Sequence, residues 1–133
     1  MSTRNETVLV VDDDRAIARS LSVALNQFGL TRIETAAEWQ EALDQVNTHR
    51  FDLVFLDINL VGHKGWELLE IIHKRWPGTF VVMFSGESTL DNVRKAARMG
   101  AGGFVVKPFS RDKVRDVLRK FDARTTPAPP VSG

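Results

Sequence analysis

Two rhythms of apolar positions alternate along the chain. Val8–Val11 is an uninterrupted apolar run, the mark of a strand covered on both faces. Ile17, Leu21, Ala24, Leu25 and Phe28 then recur at helical spacing, with Gly29 suited to the helix end. Leu30–Glu34 is half polar and predicts a strand nearer the sheet edge. Thr35-Ala36-Ala37-Glu38 has the spacing of a capping box, ahead of a helix with Trp39, Ala42, Leu43 and Val46 on one face. Phe51–Leu56 predicts a third strand, and Gly62 and Gly65 bracket a loop. Trp66, Leu68, Leu69, Ile71, Ile72 and Trp76 predict an apolar helix stopped by Pro77-Gly78. Phe80–Phe84 is a fourth strand, and Ser88-Thr89-Leu90-Asp91 caps a helix that closes at Gly100. Gly103–Val106 is a short fifth strand, and Ser110 opens a last helix with Val114, Val117, Leu118 and Phe121 on one face. Five strand–helix units predict an α/β sandwich, with a parallel sheet, right-handed crossovers and helices on both faces.

Composition narrows the class. At 133 residues, 43% hydrophobic and 26% charged, the chain is one globular domain able to bury its own core. Residues 1–6 are expected to be a disordered leader and residues 7–122 the folded domain. Residues 123–133 hold Pro127, Pro129 and Pro130 and read as a Pro-rich tail or a truncated linker. The chain has no cysteine, which excludes disulfides, thiolate metal sites and a Cys nucleophile. No apolar stretch approaches the ~18 residues of a membrane span, and the polar start lacks the apolar core of a signal peptide. A cytoplasmic protein is the expectation. The formal charge of +1 conceals an asymmetry: residues 1–90 hold 8 Lys/Arg against 13 Asp/Glu, residues 91–124 hold 10 against 4. Arg94, Lys95, Arg98, Arg111, Lys113, Arg115 and Arg119 read as a solvated face on the last two helices or a protein partner surface. No helix-turn-helix follows the fifth unit, so direct nucleic-acid binding is not expected.

Chemistry concentrates where strands end. Asp12-Asp13-Asp14 follows the first strand, Asp57 the third and Lys107-Pro108 the fifth. In an open parallel sheet the carboxyl ends of neighbouring strands share one edge, where ligands bind. Carboxylates gathered there repel unless a cation intervenes, and hard oxygen donors suit Mg²⁺ with waters and a phosphate. Asp14, before the first helix, fits an N-cap. Asp57 can act as a nucleophile toward phosphorus, forming an acyl phosphate. The Lys107 ammonium can neutralise phosphoryl oxygens, and Ser85 can donate its hydroxyl to one.

These segments together resemble the receiver domain of two-component response regulators, over roughly Thr7 to Asp122. The carriers are Val8–Asp14, Phe51–Asp57, Ser85-Gly86-Glu87 and Gly103–Phe109. The resemblance implies a CheY-like, flavodoxin-like fold with strand order 2-1-3-4-5. It implies that Asp57 accepts a phosphoryl group from a histidine kinase or His-phosphotransfer protein. It further implies Mg²⁺ held by Asp13, Asp57 and the backbone carbonyl of Asn59, with Asp12 helping through water. Ser85 matches the switch hydroxyl and Phe104 the switch aromatic, through which the surface of the last two helices and last strand is remodelled for a downstream protein or an output domain after the tail. That surface is also the expected homodimer contact. The Lys107–Pro108 bond is expected to be cis. Asn59 and Glu87 match positions that tune acyl-phosphate lifetime, and polar groups there predict a short-lived phosphorylated state. Leu60-Val61 departs from the common Met-Pro, Gly86 from the common Ala, and Phe104 lacks a hydroxyl.

Two other classes compete with this reading. A Mg²⁺ phosphohydrolase using Asp57 would want a general acid two residues on, where Asn59 cannot deliver a proton. A constitutive scaffold would bind partners without phosphorylation. The expectation is a signalling switch that catalyses only its own phosphorylation and dephosphorylation. His49, His63 and His73 have no metal-ligand spacing and read as surface residues, and the three Trp fit packing. Gly100-Ala101-Gly102-Gly103 follows a helix and precedes a strand, the reverse of a dinucleotide-binding loop.

Overall fold

The structure, a computed structural model, describes residues 4–60, 63–86 and 89–125, the side chains of 63, 64 and 125 excepted. The elements alternate as the apolar rhythm predicts: β1 (Arg4–Val11), α1 (Arg15–Gln27), β2 (Leu30–Ala36), α2 (Trp39–Thr48), β3 (Leu53–Asp57), α3 (Gly65–Arg75), β4 (Phe80–Ser85), α4 (Leu90–Arg98), β5 (Gly103–Val106) and α5 (Arg111–Thr125). The sheet is wholly parallel in the order β2-β1-β3-β4-β5. A two-residue antiparallel ladder, Asn59–Leu60 with His63–Lys64, follows β3.

The uninterrupted apolar runs explain the layers. Because successive residues of a strand point to opposite faces, each central strand feeds two cores. Leu9, Val11, Val54, Leu56, Val81 and Met83 pack with Ala42 and Val46 of α2, Leu68, Leu69 and Ile72 of α3, and Ala96 of α4. Val8, Val10, Phe55, Val82 and Phe84 pack with Leu21 and Leu25 of α1 and with Val114, Leu118 and Phe121 of α5. Each buried Val, Leu, Ile, Phe or Met side chain contributes roughly 1.5–3 kcal/mol relative to exposure.

Helix ends follow local chemistry. Asp14 caps α1, its carboxylate accepting from the Ala16 and Ile17 amides. Thr89 caps α4 through the Asn92 amide, and Ser110 accepts from the Lys113 amide at the head of α5. Gly29 and Gly100 follow helix ends with φ of 93° and 87°, in the left-handed region that glycine adopts without strain.

Three sequence expectations need correction. The capping box at Thr35–Glu38 does not form: β2 runs on to Ala36 because Thr35 and Ala36 pair with Val10 and Val11 of β1. The helix starts at Trp39 instead, and the Ala37 amide is satisfied by Glu41 from the first turn. Residues 4–6, assigned to a disordered leader, belong to β1. The Arg4 amide donates to Gly29 O, and its guanidinium pairs with Glu6 and with Asp122 of α5. The helix also continues past Asp122 to Thr125, so the tail boundary at 123 falls inside α5, and residues 126–133 lie outside the described residues.

Candidate functional site

Three strands deliver the site through ladder bonds that continue one residue past each apolar run. The Asp12 amide donates to Ala36 O (3.0 Å), the Ile58 amide to Phe84 O (3.0 Å) and the Lys107 amide to Ser85 O (2.8 Å). Asp12, Asp57 and Lys107 therefore leave the sheet with their backbones fixed, and their side chains meet at its carboxyl edge. Asp12, Asp57 and Ser85 are buried, at 1%, 4% and 1% exposure, whereas Asp13 faces solvent. The Lys107–Pro108 peptide bond is cis.

Lys107 is the hub. Its ammonium lies 3.0 Å from Asp57 Oδ2, to which it donates, and 2.9 Å from Asp12 Oδ2. The second approach is off the hydrogen-bonding direction, leaving Asp12 Oδ2 a buried acceptor with a charge beside it and no hydrogen bond. The remaining carboxylate oxygens are oriented by backbone: Asp14 N–H donates to Asp12 Oδ1 (2.9 Å) and Asn59 N–H to Asp57 Oδ1 (3.1 Å). The ammonium also sits 4.9 Å from the centre of the Phe84 ring, a favourable cation–π distance.

The charges are held uneasily. Burial raises the Asp12 carboxyl above its ordinary value and the Asp57 charge adds to the rise, while the Asp14 amide and the Lys107 ammonium oppose it. Asp13 is raised as well, by burial first and then by its neighbour Asp12. For Lys107 burial works against the cation, but the two carboxylates outweigh it and hold the ammonium above the ordinary lysine value. One oxygen from each of Asp12, Asp13 and Asp57 lies within 4.8 Å of the others. A cluster of hard oxygen donors with raised carboxyls and one unbonded buried oxygen fits a divalent cation such as Mg²⁺.

Most of the sequence-predicted site residues converge here. Asp12, Asp13, Asp57 and Lys107 meet directly, and Asn59 adjoins them through its amide with its side chain at the surface. Ser85 ends β4, buried, its carbonyl tied to Lys107. Phe104 stands apart: it is half-buried and packs on the layer that contains Ala96 of α4. Glu87 lies outside the described residues. His49 is exposed and His73 half-buried against Gly100, away from the acidic cluster. Of the basic residues, Arg115 pairs with Asp112, Lys95 lies over Trp66 and Arg111 over Phe28, so part of that face serves packing.

One site residue was read only as the end of a loop. A Cβ on Gly65 would lie 2.2 Å from Asp57 O, and the Gly65 amide donates to Ile58 O at 2.6 Å. Only glycine lets α3 begin against the backbone of Asp57. The signal in the sequence was a glycine a short loop beyond Asp57, just before the helical stripe.

Comparison with known proteins agrees with this geometry. The family described as response regulator receiver domain matches residues 8–119. Sporulation initiation phosphotransferase F of Bacillus subtilis is 32% identical over 117 residues, covering 88% of this chain and 94% of its own length. The nitrogen assimilation regulatory protein NtrX of Azorhizobium caulinodans is 36% identical over 109 residues, covering 80% of this chain but 24% of its own length. The chain thus spans nearly all of some relatives and about a quarter of others. A CheY-like receiver domain protein from Methanospirillum hungatei superposes with a TM-score of 0.82 at 33% identity, covering 91% of this chain and 97% of that one. The chain belongs to the receiver domains of two-component response regulators, a family of signalling switches whose general function is phosphorylation on an aspartate.

Proposed function

We propose that Asp57 is the phospho-acceptor and that its phosphorylation switches the α4-β5-α5 surface. The observation that carries this is the Lys107 ammonium held between Asp12 and Asp57, 2.9 and 3.0 Å away, at the carboxyl edge of the sheet. The donor is a phosphohistidine of a kinase or phosphotransfer protein. An Asp57 carboxylate oxygen attacks phosphorus, the O–P bond forms as the P–N bond breaks, and the released imidazole takes up a proton. The Asn59 amide holds the carboxylate rotamer during attack, and Lys107, with three N–H donors, turns toward the phosphoryl oxygens. Receiver domains generally bind Mg²⁺; here Asp13, Asp57 and the Asn59 carbonyl would hold it, with Asp12 through water, and it would neutralise charge on the transferred group.

The switch follows from the added charge. A phosphoryl group brings strong acceptor oxygens to a site with few free donors, and the Ser85 hydroxyl is the neighbour that can move to meet one. That movement makes room behind β4 for Phe104 to turn inward, which repacks α4 and α5 as a shift between two populations. Output passes to a downstream protein, to a domain joined after α5, or to a second copy through α4-β5-α5. Polar Asn59 and Glu87 favour water attack on the acyl phosphate, so the phosphorylated state is short-lived. The protein is a cytoplasmic switch that turns over no external phosphate ester, because Asn59 supplies no general acid.

Mass spectrometry after incubation with acetyl phosphate and Mg²⁺ tests the reading. A single phosphoryl adduct lost in Asp57→Asn is expected. No adduct in the native chain, or an unchanged adduct in the variant, overturns it. A phosphate still largely intact after many hours at neutral pH with Mg²⁺ would overturn the short lifetime.

A further inference from the structure

The sheet has two edges, and the β2 edge carries charges of both signs but no proline. In a parallel ladder the N–H and C=O of one residue point to the same side and alternate residues point to opposite sides. Ala36 O accepts from Asp12 N–H, so Ala36, Glu34 and Arg32 face β1. Thr31, Ile33 and Thr35 turn their N–H and C=O away from the sheet. Natural edges are protected by charge, proline or a covering element. Here charge is present only as one Arg and one Glu of opposite sign: the edge is seven residues long and free of proline, and Thr31, Arg32, Glu34 and Thr35 are exposed. Neither Arg32 nor Glu34 forms an ion pair among the described residues.

The order of these residues is self-complementary. An antiparallel pairing centred on Ile33 sets Ile33 opposite Ile33, Arg32 opposite Glu34 and Thr31 opposite Thr35. The outward-facing residues then become the hydrogen-bonded pairs. Arg32 and Glu34 become the non-hydrogen-bonded pairs, whose side chains come closest, and opposite charges there stabilise a sheet. A two-fold axis through Ile33 makes each ion pair occur twice, as an isologous interface requires.

The flanks agree with this pairing. On the α1 side, Ile33 lines a groove with Val23, an apolar side chain that is 53% exposed. On the α2 side, Arg32 and Glu34 line a cavity with Gln45, whose Oε1 is buried without a hydrogen bond. The α1 flank thus sets two apolar side chains among the polar Ser22, Asn26 and Gln27, and the α2 flank carries the charged pair.

We propose that the β2 edge is an interface for a second copy of this chain, paired antiparallel about Ile33 into one ten-stranded sheet. β2 and β5 occupy opposite edges of the sheet, so this contact leaves α4-β5-α5 free in both copies. The strip is narrow, and an association in the weak, transient class is expected.

Charge reversal tests it by sedimentation velocity of the full chain over a concentration series. The native chain is expected to show concentration-dependent dimer. Arg32→Glu places like charges opposite one another, as does Glu34→Arg, and each alone should be monomeric. An equimolar mixture of the two variants should regain the dimer. One chain then carries two carboxylates at the seam and the other two guanidinium groups, so both cross-strand pairs are again of opposite charge. Regain on mixing also shows that both variants fold. A native chain monomeric throughout, a dimer unaffected by either reversal, or a mixture that stays monomeric overturns the proposal.

Discussion

The two ends of the sheet use charge in opposite ways. At the amino end the ionic groups Arg4, Glu6, Asp52 and Asp122 all have partners that suit them. Arg4 bridges Glu6 and Asp122, and Asp52 accepts from the Thr7 amide and hydroxyl. The Thr79 hydroxyl donates to Phe51 O at 2.6 Å. Glu6 is accordingly held below its ordinary value, chiefly by its hydrogen bond to Arg4. At the carboxyl end three carboxylates crowd together, one ammonium pairs with Asp12 and Asp57 only, and Asp12 and Asp13 are raised rather than lowered. The same residue types stabilise the fold at one end and strain it at the other. Charges kept against stability mark the end where chemistry is done.

The comparison can be broken most sharply at Gly65. Its Cβ would meet Asp57 O at 2.2 Å, and overpacking against backbone typically costs up to about 3 kcal/mol. Gly65→Ala should lower the unfolding free energy in urea by that amount and weaken Mg²⁺ binding together. Thr79→Val probes the opposite end. It leaves Phe51 O without its buried donor, and a loss of about 1–3 kcal/mol is expected by denaturation with Mg²⁺ affinity unchanged.

Asp13→Asn sharpens the contrast in sign. Removing one of three crowded carboxylates should raise the melting temperature in EDTA at neutral pH. It should also weaken Mg²⁺ binding at least about tenfold by calorimetry, a tenfold change being about 1.4 kcal/mol. A variant less stable than the native chain without metal would contradict the picture of strained charge. The smallest effect lies at Glu6. Its folded value is depressed from 4.5, so its contribution is present above the unfolded value and lost as pH falls through the folded one. The stability gap between native and Glu6→Gln should be below about 1 kcal/mol at pH 7 and vanish in acid. A gap that widens in acid would invert the assignment.

How much of this was legible in the chain differs between strands and their surroundings. The uniform apolar runs at Val8–Val11 and Phe80–Phe84 announced buried strands, and the charged residues that follow the first, third and fifth strands announced the site edge. Asp14 and Ser110 were legible as caps, and Ser88–Asp91 as a capping segment whose cap proves to be Thr89, because capping is local. What escaped depends on contacts distant in sequence. Thr35 and Ala36 look like a helix start until Val10 and Val11 pair with them. Residues 4–6 look like a leader until Asp122, 118 residues away, meets Arg4. Gly65 looks like any loop glycine until the Asp57 carbonyl is placed against it.

Three contacts already described gather the backbone around Asp57. Ile58 is tied to Phe84, Gly65 to Ile58, and Gly65 abuts Asp57. Ile58 and Gly65 are therefore held to each other and to the sheet. Evolution can rewrite the sequence between two such anchors without relocating the aspartate beside them. The chemistry of those residues can then diverge while the acidic cluster stays as it was.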